Sequence, residues 1–353
     1  MDPVAHTLFG ATLAETGLKR LSRYATPTLL IGANLPDIDA VATAFGRDTS
    51  LYLRRGWTHG VLAMVVLPAL LAGGVWLWHR RRAGPDDDPD APPFRLGWIV
   101  ALSYLSTWSH PALDWTNTYG VRLLMPFDGR WFYGDTLFIV DPWFWLLTAA
   151  GVVMTRSETR RAVGGWALLG VLATALIFFT SMVPLGVQVG WVLGVGAIAA
   201  LRFKAEALHP HVARVGLASL LIYIGSVYGL ARMAESRAAE REPPLEVQAN
   251  PTPGVPFEHR VVLVYDTHYR VIPPHAPPFE VPRREPDAIV RAALADPAVR
   301  GFANWTRFPY WDVEETEGGW RVTLRDLRYV DPGEQGRGIG FTQVEVGRDA
   351  VAP

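Results

Sequence analysis

Three histidines and three aspartates interrupt an otherwise apolar N-terminal third. They are His6, Asp37 and Asp39 in Asn34-Leu35-Pro36-Asp37-Ile38-Asp39, His59 in Arg54-Arg55-Gly56-Trp57-Thr58-His59-Gly60, and His110 with Asp114. His110 and Asp114 are four residues apart, so on a helix they share a face and can chelate a divalent ion. Asp37 and Asp39 follow a proline in a turn, so both carboxylates can point into one cavity. Taken singly each has an ordinary reading: an interfacial histidine is usually a hydrogen-bonded structural residue, and Asp37 alone reads as a helix cap. Taken jointly they point to a metal, because ionisable groups at membrane depth are costly unless paired, metal-bound or wet. Neutral imidazole with carboxylate suits zinc, manganese or iron(II) rather than calcium. Arg54 or Arg55 offers a bidentate phosphate clamp, with an interfacial snorkelling arginine as the plain alternative. Asp135 is a candidate general acid.

These residues need a membrane frame. Half of the 353 residues are apolar and 19% are charged, a balance that leans toward a membrane protein. The net charge of −1 gives no basic surface for nucleic acid. With no cysteine, disulfides, thiolate zinc sites and cysteine nucleophiles are excluded together. Asp2 and Pro3 stand where a secretory signal would carry a basic segment.

A bilayer core of roughly 30 Å needs about 20 mainly apolar helical residues. Six stretches are expected to span: 61–78, 96–113, 137–154, 165–183, 186–201 and 215–233. Arg80, Arg81, Arg82 and Arg95 lie between the first two, Arg156, Arg160 and Arg161 follow the third, and Arg202, Lys204 and Arg214 separate the last two. The positive-inside rule makes that side cytoplasmic, and the acidic run Asp86–Asp90 counts for little in it. His59 and His110 then face the extracytoplasmic side, and the C-terminal domain is expected there too. Residues 4–18 and 25–35 read as a hairpin returning Asp37 to the level of His6. Arg47, Arg54 and Arg55 run against the rule. Tryptophans at span ends read as an interfacial belt, with Trp115 and Tyr119 as candidate pocket walls.

The expected fold class is mainly α: a multi-pass transmembrane helical bundle with a small C-terminal soluble α+β domain. The bundle carries the metal site over 1–235, a Pro-rich linker covers 236–258, and the soluble domain covers 259–353. In that domain Arg260–Tyr265 and Trp320–Leu324 alternate like strands, with a short helix near Asp287–Ala295.

His6, the Pro36-Asp37-Ile38-Asp39 turn, Arg55-Gly56-Trp57-Thr58-His59-Gly60 and Ser109-His110-Pro111-Ala112-Leu113-Asp114-Trp115-Thr116-Asn117-Thr118-Tyr119-Gly120 resemble the YdjM-like family. Gly134–Trp143 and Phe302–Tyr310 fit the same resemblance. It implies a bacterial inner-membrane, metal-dependent hydrolase, some members being described as LexA-regulated. The order His, Asp, His, His-x-x-x-Asp is also distantly similar to zinc-dependent phospholipase C and the single-strand-specific zinc nucleases. That similarity implies one ion on Asp37 or Asp39 with His59, His110 and Asp114, and a second sharing Asp114 and taking His6. The chain lacks the further His and the His-x-x-x-Glu pair of that superfamily; only Asp135 and Asp141 lie near the right place. The activity implied is hydrolysis of a phosphoester in a lipid or other amphiphile reached from the bilayer, with one or two divalent ions, Asp37 and Asp135 in catalytic roles and Arg55 as clamp. A transporter or ion-binding membrane protein and a non-catalytic regulator with a structural metal are the competing readings. No protein partner is indicated.

Overall fold

Asp2 opens the first helix as its N-cap, accepting from the Val4 and Ala5 N–H groups at 3.0 Å, and Pro3 sits where a missing N–H costs nothing. The computed structural model describes residues 1–82, 91–180, 182–204, 209–240, 242–334 and 338–351; the acidic run Asp86–Asp90 lies outside them. Two compact units result. The first comprises Met1–Ile38, Arg55–Leu230 and Pro251–Phe257; the second comprises Asp39–Arg54, Ala231–Asn250 and Glu258–Pro353.

The first unit is helical. Its elements are α1 (Pro3–Glu15), α2 (Ala25–Asn34), then, beyond α3 (Arg47–Leu53) of the second unit, α4 (Val61–Arg81), α5 (Leu96–Trp115), α6 (Pro142–Arg156), α7 (Arg160–Phe179), α8 (Leu185–Lys204) and α9 (His209–Ala239), whose last turns belong to the second unit. α5 packs between α2 and α4, α1 packs on α2 and α6, and α8 packs on α6. Close approach depends on two glycines. A Cβ at Gly10 would meet the Leu29 carbonyl, and one at Gly32 would collide with Ser106 Oγ.

Among the described residues four helices are long and apolar enough to cross a membrane: α4, α7, α8 and α9. The other two expected spans differ for a physical reason. α5 buries Ser103, Ser106, Thr107, His110 and Asp114, so its apolar content falls short of a lipid-facing span. Its serines are satisfied by their own helix, Ser103 Oγ donating to Ile99 O and Ser106 Oγ to Leu102 O, both at 2.8 Å. α6 has 15 residues, because residues 137–141 stay outside the helix and Asp141 caps it, accepting from Phe144 N at 2.8 Å and Tyr223 Oη at 2.9 Å. The basic side chains do gather as the sequence suggests. At the C-terminal end of α1, Arg156 pairs with Glu15 at 2.7 Å, and Arg214 donates to Thr16 O at 3.0 Å.

The second unit holds most of two antiparallel sheets, the end of the first strand and the start of the second (Pro251–Phe257) being counted with the first unit. One has the order β1-β2-β3-β4, from β1 (Glu246–Thr252), β2 (Val255–Val264), β3 (His268–Ile272) and β4 (Phe279–Pro282); the other is β5 (Pro309–Thr316), β6 (Gly319–Asp326) and β7 (Phe341–Gly347). β1 and the start of β2 occupy the stretch expected as linker. β2 is buried on both faces. Val262 and Val264 join the core with Tyr269, Phe308 and Leu327, while Val261, Leu263 and Tyr265 join Ala231 and Ala249. The expected short helix is α10 (Ala288–Ala295), capped by Asp287. α3 packs on α11 (Arg300–Trp305), where Asp48 accepts from the Gly301 and Phe302 N–H groups at 2.8 and 2.9 Å. Residues 39–54 therefore belong to the unit built mainly from the C-terminal third.

A buried ion pair holds this unit. Arg328 donates from Nε to Asp326 Oδ1 at 3.0 Å and from Nη2 to Oδ2 at 2.8 Å, and Asp326 also accepts from Arg307 N and Thr306 Oγ1. Burial alone would raise the Asp326 carboxyl; the Arg328 guanidinium and these donors hold it below its ordinary value. Its stabilisation is therefore complete at neutral pH and is lost as pH falls through that lowered value. Asp326→Asn should destabilise the second unit by about 3–5 kcal/mol, whereas Asp331→Asn, which breaks the half-exposed pair with Arg260, should cost under about 1 kcal/mol. Thermal unfolding of the full chain in detergent, followed through tryptophan, measures both.

Candidate metal centre

Local turns bring the site residues of the first unit together. His6 stands on the first turns of α1, held by the Asp2 cap, and Asp2 Oδ2 also accepts from Trp145 Nε1 at 3.1 Å. Asp37 lies on the 3-10 stretch Leu35–Phe45 that follows α2. His59 closes a tight turn in which the His59 and Gly60 N–H groups both donate to Gly56 O. Residues 121–125 hold that turn: Arg122 N donates to Arg55 O at 2.8 Å, Val61 N donates to Leu123 O at 2.9 Å, and a Cβ at Gly60 would collide with the Met125 carbonyl. His110 and Asp114 share one face of α5, as their spacing requires.

Asp114 is the centre of the cluster. Its Oδ1 lies 3.2 Å from His6 Nε2, and its Oδ2 lies 3.2 Å from His59 Nε2 and 2.9 Å from Arg55 Nε. The Met1 amino group also donates to Oδ1. His110 Nε2 is 3.1 Å from His59 Nε2, 3.7 Å from Asp114 Oδ2 and 3.8 Å from Asp37 Oδ1. The His6 and His110 rings stack at 3.7 Å. His6, His59, His110 and Asp114 are each at most 1% exposed, and the Asp37 side chain is 12% exposed. Asp37 is thus the one member of the cluster with an outlet.

The donor set fits a divalent ion. His110 Nδ1 lies 2.7 Å from Ala33 O, and a carbonyl only accepts, so Nδ1 carries the proton and Nε2 turns its lone pair inward. That lone pair faces a second imidazole nitrogen and two carboxylates, a crowding that a cation relieves. His6 Nδ1 is buried without a hydrogen-bond partner. Two groups, His6-Asp37-His110 and His59-His110-Asp114, each hold their ligand atoms within 4.8 Å of one another. Both use His110, whose Nδ1 is committed to Ala33, so its Nε2 can serve a single ion.

The remaining expected residues fall as follows. Asp39 lies in the second unit with its carboxylate 3.6 Å from Arg54 Nε, and it is in neither ligand group. Arg55 is buried, adopts φ 53°, donates to Asn117 Oδ1 and Gly120 O, and stacks on Tyr119 at 4.6 Å. Its guanidinium is therefore directed at protein acceptors, Asp114 first, rather than outward as a clamp. Asp135 is buried at φ 47° and is in neither group; its loop pairs with the end of α5 through Gly134 N to Trp115 O and Thr136 N to Thr116 O. Trp115 lines an apolar recess of about 390 Å³ with Met64, Trp108, Pro111, Ala112 and Leu123.

The sequence reading missed Asp2 as a cap, although Asp-Pro before an apolar run is a helix-start signal. It also missed Arg122, buried against Trp131 at 4.9 Å, for which no signal was available.

Apolar membrane-length helices with a buried His/Asp cluster define a membrane protein with a candidate metal centre. The chain belongs to the YdjM inner membrane protein family, which matches residues 1–185, and residues 288–334 match the YfhP C-terminal alpha/beta plait domain. No curated protein matches the chain, and no solved structure matches it.

Two substitutions separate the central carboxylate from its neighbour in the loop. After chelator washing and zinc reconstitution, Asp114→Asn should hold far less metal than wild type and Asp135→Asn should hold as much. Elemental analysis of the detergent-purified proteins decides it; equal content in all three would remove Asp114 from the ligand set.

Proposed function

We propose that the first unit is a membrane-embedded, metal-dependent hydrolase acting on phosphoester bonds of an amphiphilic substrate. The observation carrying this reading is the buried Asp114 with three imidazoles and Arg55 around it. Counting side chains, Asp37, Asp114 and Arg55 sum to −1, so a divalent ion would leave a net positive site suited to an anionic phosphoester. His6, Asp37, His59, His110 and Asp114 would hold it, a set that suits zinc, with manganese or iron(II) as alternatives. One ion accords with the shared His110. Bound there, the ion would supply Lewis acidity and a lowered water pKa.

The protein's own groups do the rest. Arg55 fixes Asp114, and Asn117 and Gly120 fix Arg55, so the carboxylate stays oriented without a substrate. Ala33 fixes the His110 tautomer. Asp37, the partly exposed carboxylate, is the group able to exchange protons with an incoming water. The apolar recess beside Trp115 supports an amphiphile as substrate, since Pro111 and Trp115 each follow a ligand directly in sequence.

The near-complete burial of four of the five ligands favours a second reading, a structural metal in a non-catalytic regulator. A transport path is less well supported, because the site residues lie outside α4, α7, α8 and α9. We place the site on the extracytoplasmic side, from the gathering of basic side chains at the opposite end of α1.

Zinc- or manganese-loaded protein should cleave a chromogenic phosphodiester or a short-chain phospholipid, and His59→Ala/His110→Ala should lower the rate at least about a hundredfold. Wild type with full metal and no turnover on either substrate would favour the structural reading.

A further inference from the structure

α8 packs on α6, whereas α7 touches both only sparsely. Between them runs a cleft of about 630 Å³, lined almost wholly by apolar side chains from Val4, Leu8 and Trp145 at one end to Trp166 and Arg202 at the other. This is well within the roughly 300–1,000 Å³ of small-molecule sites. It is separate from the recess beside Trp115, and none of its lining residues is a metal ligand.

Arg202 is the charged residue of this lining. It stands in the last turn of α8, turned back so that Nη2 donates to Ser157 O at 2.8 Å. Its Nε is buried and has no hydrogen-bond partner. A snorkelling arginine would extend its guanidinium to water; this one faces a carbonyl and the head of an apolar cleft, and among the described residues it pairs with no carboxylate. Arg160 and Arg161 open α7 three and four residues after Ser157, both exposed. An apolar channel with a guanidinium at its mouth that has no carboxylate partner among the described residues, and Arg160 and Arg161 nearby, is complementary to a hydrocarbon chain carrying an anionic head.

We propose that this cleft binds one anionic phospholipid from the bilayer, its acyl chain lying along α6, α7 and α8 and its phosphate accepting from Arg202. The proposal is independent of any hydrolysis at the metal centre. Basic pockets between membrane helices bind anionic headgroups in this way, and the Arg fork matches phosphate geometry.

The test uses native mass spectrometry of the full chain in detergent with equal amounts of phosphatidylglycerol and phosphatidylcholine of identical chains. Wild type should retain phosphatidylglycerol over phosphatidylcholine by about fivefold. Arg202→Gln should abolish that preference, and Arg202→Lys should keep most of it. Gly170 lines the cleft, and a Cβ there would meet nothing within 4 Å. Gly170→Phe should therefore fill the channel without disturbing the helices and lower retention of both lipids. Equal retention of the two lipids by wild type, or an undiminished preference in Arg202→Gln, would overturn the proposal. If Arg202→Gln does not fold, the wild-type comparison and Gly170→Phe still decide it.

Discussion

A carboxylate buried among helices of a membrane protein must be compensated, and the first unit is arranged around that requirement at Asp114. Its two oxygens meet imidazoles from α1 and from the turn before α4, together with the Arg55 guanidinium. Each partner is fixed in turn by its own backbone: an Asp-Pro cap for His6, a glycine-flanked turn for His59 and the Ala33 carbonyl for His110. Removing one partner of such a buried set leaves charge without compensation, which is why the elements cannot drift independently. The strained backbone at Arg55, roughly 1–3 kcal/mol for a non-glycine residue, persists because Asn117, Gly120 and Tyr119 hold the side chain in place.

The same requirement sorts the helices. α5 turns its ligands and buried serines inward, packed against α2 and α4, while Leu96, Val100, Leu105 and Trp108 on the same helix stay exposed. α7, α8 and α4 keep exposed leucines and valines such as Leu168, Leu193 and Leu70, the surface expected where a bilayer is the solvent.

Much of this was legible in sequence, and the misses have physical causes. His110-x-x-x-Asp114 gave its helix face because a 3.6-residue period is local information. The gathering of His6, Asp37 and His59 beside it followed from the cost of ionisable groups at membrane depth. α5 and α6 read as spans from their apolar runs, but the serines, His110 and Asp114 of α5 dilute its apolar content, and Asp141 starts α6 late enough to leave it 15 residues long. Asp39 was grouped with Asp37 by proximity in the chain, yet the compact units divide between them, and Asp39 pairs with Arg54. The docking of α3 on α11 joins residues about 250 positions apart, and nothing in local pattern announces Asp48 as a cap for Gly301. Arg55 looked like a phosphate clamp because its type fits; only the fold shows its donors turned toward Asp114 and Asn117.

The residues around Asp114 could hold a metal ion through mixed nitrogen and oxygen ligands. X-ray absorption spectroscopy of zinc-loaded, detergent-purified protein tests it most directly. The expected result is a first shell with two to three imidazole nitrogens at about 2.0–2.1 Å, their outer-ring scattering visible, together with carboxylate oxygen. A shell of oxygen alone, without imidazole scattering, would contradict it.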